Sequence, residues 1–303
     1  MSGTMLSAVI PTYRRERVLV DTIGYLLEMN PPPGELLIVD QTPEHEPDTA
    51  RSLKSLEVAG KIHWIRLARP SITHAMNVGL ETAGGEIVLF LDDDIIPGQN
   101  LIGAHIDAHL RSQSAIIAGQ VLQPGEEPLP ESSDAVPFQF RSSRSQLVSE
   151  LMGGNFSIRR DVALKLGGFD ENFVHVAYRF EADFALRARA AGYSILFEPR
   201  AGIRHLKSAD GGTRSFGHHL TTFKPSHAVG EYYFLLRSKM MPGRWFKMLT
   251  RPLRAVRTRH HLSHPWWVIP TFMAETAGFV WAVFLTLRGP RLLSSNDRDG
   301  TVE

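Results

Sequence analysis

Short apolar runs alternate with amphipathic stretches over the first hundred positions of the chain. The runs at 7–10, 36–39, 62–67 and 87–91 are strand-length and recur at the interval that a strand, a helix and two loops require. Between the first two, Val18, Leu19, Thr22, Ile23, Leu26 and Leu27 share one face at helical spacing, and Pro31 to Pro33 with Gly34 end that helix. Between the third and fourth, residues 74–82 read as a helix closed by Gly84 and Gly85. Helices over 100–111 and 161–166 and strands over 115–121 and 193–197 follow. The alternation predicts an α/β fold, with a mostly parallel sheet and helices on both faces. Residues 123–145, rich in Pro, Glu and Ser, read as a long surface loop, either a lid or simply mobile.

The composition bounds the class. The 303 residues are 43% hydrophobic, with 33 Lys plus Arg against 32 Asp plus Glu, a globular balance. With no cysteine, disulfide scaffolds and thiolate chemistry are excluded. The apolar run after Met5 is too short for a signal-peptide core and leads into Pro11, Arg14, Arg15 and Arg17, so the chain is expected to start and stay in the cytoplasm.

The acids carry the chemistry. In an open parallel sheet, ligands bind beyond the carboxyl ends of the strands. The second strand run ends on Asp40 and the fourth on Asp92, Asp93 and Asp94. Three adjacent carboxylates repel unless they are solvated or neutralised by a cation. A hard ion such as Mn²⁺ or Mg²⁺ takes oxygen ligands, and the alternate members Asp92 and Asp94 could serve one metal-diphosphate unit. Acid clusters at turns are also common without any ion. Glu181 and Asp183 open a helix whose apolar face is Phe180, Phe184, Ala188 and Ala191. They either favour the helix N-terminus and pair with Arg187, or one of them is a general base. Gly153, Gly154 and Asn155 let the backbone approach a ligand or simply make a turn. His205, after Pro199, reads on its own as structural.

In order along the chain stand Val9-Ile10-Pro11-Thr12-Tyr13, Ile38-Val39-Asp40, Ala75-Met76-Asn77-Val78-Gly79, Leu91-Asp92-Asp93-Asp94, Gly153-Gly154-Asn155, Gly167-Gly168-Phe169-Asp170-Glu171 and Glu181-Ala182-Asp183-Phe184-Ala185-Leu186-Arg187. Over about residues 5–215 this series resembles the family-two glycosyltransferases with the GT-A fold. The resemblance implies a Rossmann-like α/β domain, a nucleotide-sugar donor, usually uridine-linked, a divalent metal, and inversion at the anomeric carbon by single displacement. By position, Thr12 and Asp40 would contact base and ribose, with Pro11, Tyr13, Asn77 and Asp93 on the donor side. Asp94 would bind the metal directly, and Asp92 would lie nearer the ribose or sugar while serving the same ion. His205 would add a contact to metal or diphosphate. Glu181 would be the catalytic base, and Gly154, Asn155 and Asp183 would lie near the sugar or acceptor.

Three positions depart from the family pattern. Phe180 stands where many members carry an acid before the base, Gln41 where a second aspartate often follows position 40, and Met76 where an arginine is frequent. None removes an expected metal ligand, but the second and third widen the range of donors. The first leaves room for an alternative, a catalytically inactive nucleotide-sugar-binding or scaffold protein of the same fold. A sugar nucleotidyltransferase is disfavoured, because no Gly-rich loop with a basic residue follows the first strand.

From residue 216 the sequence changes character, so the expected division is a domain over 1–215 and a basic, aromatic helical region over 216–303. Between Glu231 and Glu275 there is no acid but there are eight Lys and Arg residues, leaving 25 basic residues against 32 acids elsewhere. Trp245, Phe246, Met248, Leu249, Trp266 and Trp267 are interleaved with them, a mixture suited to an anionic membrane surface. Nucleic acid is the rival partner and is not expected, because these aromatics cluster with aliphatics instead of spacing out as stacking platforms. A plain solvated helix is the simpler reading. Residues 268–287 are long and apolar enough to cross a bilayer. Pro270, Glu275 and Gly278 argue instead for a monotopic or packed helix, with Arg288 and Arg291 at the interface. The expected protein is therefore peripheral or monotopic at the inner face of the cell membrane, acting on a glycan or lipid-linked acceptor such as a polysaccharide precursor. The last dozen residues read as disordered.

Overall fold

The computed structural model describes residues 5–132, 137–217, 220–239 and 241–293. Part of the 123–145 loop and most of the segment read as disordered thus lie outside the described residues.

The chain begins with strand β1 (Leu6–Thr12), helix α1 (Arg17–Leu27), β2 (Glu35–Asp40), α2 (Pro47–Val58), β3 (His63–Arg66), α3 (Ile72–Thr82) and β4 (Ile87–Leu91). These strands lie in the order β3-β2-β1-β4, all parallel, as the alternating pattern requires. The next elements are β5 (Ile95–Pro97), α4 (Leu101–Arg111), β6 (Ile116–Leu122), β7 (Gln146–Val148), β8 (Asn155–Arg159), α5 (Arg160–Lys165), α6 (Phe180–Ala190) and β9 (Ile195–His205). The sheet continues from β4 through β8, β6 and β9 to β5, with β7 on the far flank of β9. β8 runs antiparallel to both β4 and β6, while β6 and β9 are parallel. The result is a mixed α/β sheet of the expected GT-A type with helices on both faces. One apolar cluster contains Val9, Val39 and Phe90, and the other contains Ile10, Ile38 and Leu89, because alternate residues of each strand face opposite sides.

Gly153 and Gly154 do form a turn, closed by the Asn155 N–H donating to the Met152 carbonyl at 3.2 Å, and Asn155 then begins β8 opposite Leu91. One local reading is corrected. Pro199 does not end the strand before it. β9 continues to His205 through an irregularity in which Gly119 pairs with Glu198 and Gln120 with Gly202. Proline lacks a ladder N–H and is accommodated at such a bulge.

The tail adds α7 (Ala228–Arg237), α8 (Arg244–Val256), α9 (Arg259–Ser263) and α10 (Val268–Arg288). Although composition divides the chain near 215, Val229, Tyr232, Tyr233 and Leu235 of α7 belong to the same buried cluster as Phe90 and Phe184. α10 packs on α7 and α8. A Cβ on Gly278 would lie 2.6 Å from Ala228 Cβ, so glycine allows that close helix crossing. Glu275 is buried and ion-paired to Arg251 at 2.9 Å. The N–H of Arg291 donates to Asp170 Oδ1 at 2.9 Å, while its exposed guanidinium lies 3.3 Å from Glu171. Among the described residues one helical stretch, Pro265–Arg288, is long and apolar enough to cross a membrane, and a third of its most apolar 18-residue segment is buried against the protein.

Candidate active site

A cleft of about 350 Å³ opens at the carboxyl ends of β1 and β4. Pro11, Thr12 and Tyr13 line one side, Asp92, Asp93 and Asp94 the floor, and Gly153, Gly154 and Glu181 the opposite side. The β5–β9 ladder pairs Ile95 with His205, so the end of β9 falls beside Asp94.

Two carboxylates and one imidazole converge there. His205 Nε2 lies 3.0 Å from Asp94 Oδ1 and 3.7 Å from Asp92 Oδ2. One ligand atom from each of Asp92, Asp94 and His205 lies within 4.8 Å of the others. His205 Nδ1 donates to Gln123 Oε1 at 3.1 Å, which leaves Nε2 turned toward the acids. An imidazole and two carboxylates suit a hard or borderline divalent ion. Burial works against the charge of Asp94. The bond from His205, the positive charges of His205 and Arg15, and the N–H of Ser208 outweigh it and hold the carboxyl below its ordinary range.

Arg15 completes this cluster, although its sequence context showed only one of several basic residues after β1. Its Nε donates to Asp93 Oδ1 at 3.0 Å, its Nη2 lies 3.3 Å from Asp94 Oδ2, and its Nη1 bonds to the carbonyl of Asp210. Thr12 Oγ1 donates to Asp93 Oδ2 at 2.7 Å. Burial still pushes Asp93 up to about 7, with the neighbouring acids adding to it and Arg15 and Thr12 opposing it. Asp93 is thus an internal tie between β1 and the end of β4, and Asp92 is the half-exposed member of the triplet.

The two glycines separate the acid cluster from the candidate base. A Cβ on Gly154 would fall 2.0 Å from Asp92 Oδ2, and one on Gly153 would fall 3.0 Å from Glu181 Oε1. Burial raises Glu181 to about 7, opposed by backbone N–H groups including that of Gly153 and reinforced by the charge of Asp92. A carboxylate with that value is poised to take a proton near neutral pH. α6, which carries Glu181, starts from Arg179 at φ 76°, after His175 at 58° and Ala177 at 50°. Arg179 is held by an ion pair to Glu231 of α7 at 2.7 Å, so the tail supports the segment that carries Glu181. His175 lines the cleft and its ring meets both Phe216 and Trp281 of α10 edge-on, at 5.3 and 5.4 Å between centroids.

Four expected site residues do not line the cleft. Asp40 Oδ2 accepts from His45 Nε2 at 2.8 Å and Trp64 Nε1 at 2.9 Å, and its Oδ1 accepts from the N–H of Thr42 at 2.8 Å. Burial disfavours its charge, but those donors prevail and hold it below the ordinary carboxylate range. Gln41 takes its place in the wall, fixed by the Ser71 N–H at 2.5 Å and the Thr12 carbonyl at 3.2 Å. Asn77 closes the turn after α5, accepting from the Phe169 N–H and donating to its carbonyl. Asn155 is fully buried and its amide donates to the carbonyls of Gln120 and Ala201, tying β8 to the β6–β9 irregularity. Asp183 accepts from Arg187 Nε at 2.8 Å, the helix-pair reading of that residue. The sequence concealed these commitments because every partner except Arg187 and the near neighbours of Asp40 is distant along the chain. Gln123 could have been found by the rule used for the aspartates, since it directly follows the carboxyl end of β6.

Comparison with known proteins agrees with this picture. A profile described as Glycosyl transferase family 2 matches residues 7–167. The chain is 26% identical over 300 residues to the uncharacterized protein y4gI of Sinorhizobium fredii, an alignment covering 89% of this chain and 32% of that protein, so it spans about a third of that relative. It is 24% identical over 222 residues to a glucosyl-dolichyl phosphate glucuronosyltransferase of Haloferax volcanii, covering 66% of this chain and 68% of the other. Among solved structures, GalNAc-T7 with UDP, GalNAc and Mn²⁺ superposes with a TM-score of 0.60 at 12% identity, over 86% of this chain and 55% of the other. The mannosyltransferase PcManGT of Pyrobaculum calidifontis, with GDP-Man and Mn²⁺, gives 0.52 at 16% identity, over 94% and 79%. These structural matches show the shared fold.

Proposed function

Because the chain belongs to glycosyl transferase family 2, we propose that it is an inverting, metal-dependent glycosyltransferase that moves a sugar from a nucleotide-sugar donor to a glycan or lipid-linked hydroxyl at the cytoplasmic face of a membrane. The observation that carries this reading is the meeting of Asp92, Asp94, His205 and Glu181 in one cleft, from three separate parts of the chain: the end of β4, the start of α6 and the end of β9. Asp92, Asp94 and His205 would hold Mn²⁺ or Mg²⁺. Such an ion supplies a Lewis acid that offsets the charge developing on a diphosphate leaving group.

The protein's own groups have distinct parts in this proposal. Thr12, Tyr13 and Gln41 border the donor side, and uridine diphosphate sugars are the first donors to test. The sequestered Asp40 leaves base recognition to the backbone and to Gln41. The Glu181 carboxylate accepts the acceptor hydroxyl's proton during attack, an effect worth about 10²- to 10⁴-fold. Inversion requires the base on the face of the sugar opposite the leaving group, and Gly153 and Gly154 keep the two acidic sites apart. A lipid-linked acceptor is favoured by the contact between His175 of the cleft and Trp281 of the apolar α10.

The test is release of nucleoside diphosphate from a panel of nucleotide sugars by purified protein with Mn²⁺ or Mg²⁺. Asp94→Ala should abolish turnover and Glu181→Gln should lower it about 10²- to 10⁴-fold, while the circular dichroism spectrum is retained in both. Wild-type turnover in both variants would overturn the assignments. Metal-dependent nucleotide binding with no transfer to any acceptor would favour the scaffold reading.

A further inference from the structure

We infer that the outer faces of α8, α9 and α10 form a docking surface for an anionic lipid bilayer, and that α10 lies in the plane of that bilayer without crossing it. This deepens the reading of the chain as a membrane-face transferase and rests on it. α10 is amphipathic in an unusual direction. Its inner face is made of Thr271, Ala274, Glu275, Gly278 and Ala282, while Ile269, Met273, Val280, Phe284 and Leu287 are exposed, Ile269 by 70% and Leu287 by 82%. On α8 the exposed side is Trp245, Phe246, Leu249 and Leu253, in register at three- and four-residue steps. In the stretch between the two helices Leu262 and Trp266 are exposed as well. A soluble protein seldom leaves so many large apolar side chains uncovered along one segment.

Charge identifies the occupant. Lys239, Lys247, Arg254, Arg257 and Arg259 are exposed along the same segment, and the acid that follows them, Glu275, is buried on the protein side. Apolar side chains interleaved with exposed cations match a bilayer of anionic lipids.

Tethering identifies the mode. At the start of α10, Thr271 Oγ1 meets His261 Nε2 at 2.9 Å and Trp267 packs near Phe223. Beyond its end, the N–H of Leu293 donates to the Gly167 carbonyl at 2.9 Å and the N–H of Arg291 to Asp170. Both ends are therefore held by the same globule. A crossing would separate them by a bilayer, strip α10 from α7, and carry Glu275 into hydrocarbon without Arg251. Trp281 links this face to the cleft through His175 and Phe216, so docking would bring the cleft mouth to the lipid surface.

The test uses the full chain, and co-flotation with vesicles needs no donor or turnover. Wild type should float with phosphatidylcholine–phosphatidylglycerol vesicles and not with phosphatidylcholine alone. Lys247→Gln and Arg257→Gln should each weaken binding about fivefold. The double variant Trp245→Ser, Leu249→Ser, at positions that are already exposed, should abolish it while the thermal midpoint stays unchanged. The lack of cysteine makes single labels clean. Fluorophores at Ile269→Cys, Val280→Cys and Leu287→Cys should report one common shallow depth by nitroxide-lipid quenching. A deep Val280 with its flanks in opposite leaflets, or absence of vesicle binding with the face covered by a second copy in sedimentation, would overturn the inference. Transfer to a soluble acceptor without vesicle binding would remove the docking surface alone. Vesicle binding without transfer on any donor would remove the enzyme reading alone.

Discussion

Ile95 and His205 stand opposite one another in the antiparallel β5–β9 pair, and that single rung sets the His205 imidazole 3.0 Å from Asp94. The strand would deliver the ring but not its orientation, which comes from the bond between Nδ1 and Gln123. Partners of this kind typically contribute 10- to 100-fold to metal affinity. Gln123→Ala is therefore expected to weaken Mn²⁺ binding by about that factor in titration calorimetry, with the fold unchanged. Unaltered affinity would mean that the strand alone positions the ring.

A second expectation concerns pH. Glu181, raised to about 7 by burial and by Asp92, can act as a base only when deprotonated. Turnover should fall about tenfold per pH unit below that value and level off above it. Glu181→Gln should lower the plateau by about 10²- to 10⁴-fold with donor binding retained. A flat profile between pH 5.5 and 8 would show that another group takes the proton.

Most of the fold was legible because β1, β2 and β4 are buried on both faces and read as continuous apolar runs bounded by turns. β5 and β7, of three residues each, are too short to carry a pattern, and β9 hid behind Pro199. At the site, the aspartate triplet and Glu181 were legible because strand ends and helix starts are local features. What Asp40, Asn77 and Asn155 do was not, because a buried polar group must find a partner and theirs come largely from other elements. Arg15 was hidden for the same reason, since its role depends on residues 78 and 79 positions away.

Gly154 offers a steric test of the acid cluster. A methyl there would fall 2.0 Å from Asp92 Oδ2, and Gly154 accepts the Asp92 N–H through its carbonyl. Gly154→Ala should therefore displace the Asp92 carboxylate, lowering metal affinity and turnover together. The effect on thermal midpoint should be smaller than for a core truncation, because Asp92 faces the open cleft. A variant with normal Mn²⁺ affinity would place Asp92 outside the ion's reach.

Acid stability should be governed by a pair of histidines away from the cleft. His105 Nδ1 and His109 Nε2 meet on Ser157 Oγ at 2.8 and 2.9 Å, and burial lowers them to about 4 and about 3. Both are neutral in the fold and would take protons once unfolded, below about pH 6.5. Their contribution is whole above that pH and is lost progressively as pH falls toward 4 and then 3, at up to about 1.4 kcal/mol per unit for each. The thermal midpoint should decline from pH 6.5 downward, and less steeply in His109→Gln. Equal slopes in wild type and variant would show that other groups set the acid limit.

Arg15 allows the charge logic of the site to be tested without turnover. Its side chain, 8% exposed, pairs with Asp93 and Asp94 and fastens the segment after β9 through the Asp210 carbonyl. Removing one member of a buried pair leaves an uncompensated charge and typically destabilises by about 3 to 5 kcal/mol. Arg15→Met should therefore lower the thermal midpoint in metal-free buffer. A divalent ion at Asp92, Asp94 and His205 would restore positive charge beside Asp94, and an ion that binds only the folded state adds stability by mass action. The rise in midpoint on adding saturating Mn²⁺ should consequently be larger in Arg15→Met than in wild type, even though the variant remains less stable in absolute terms. An equal or smaller rise would show that the guanidinium and the ion do not share the same carboxylates.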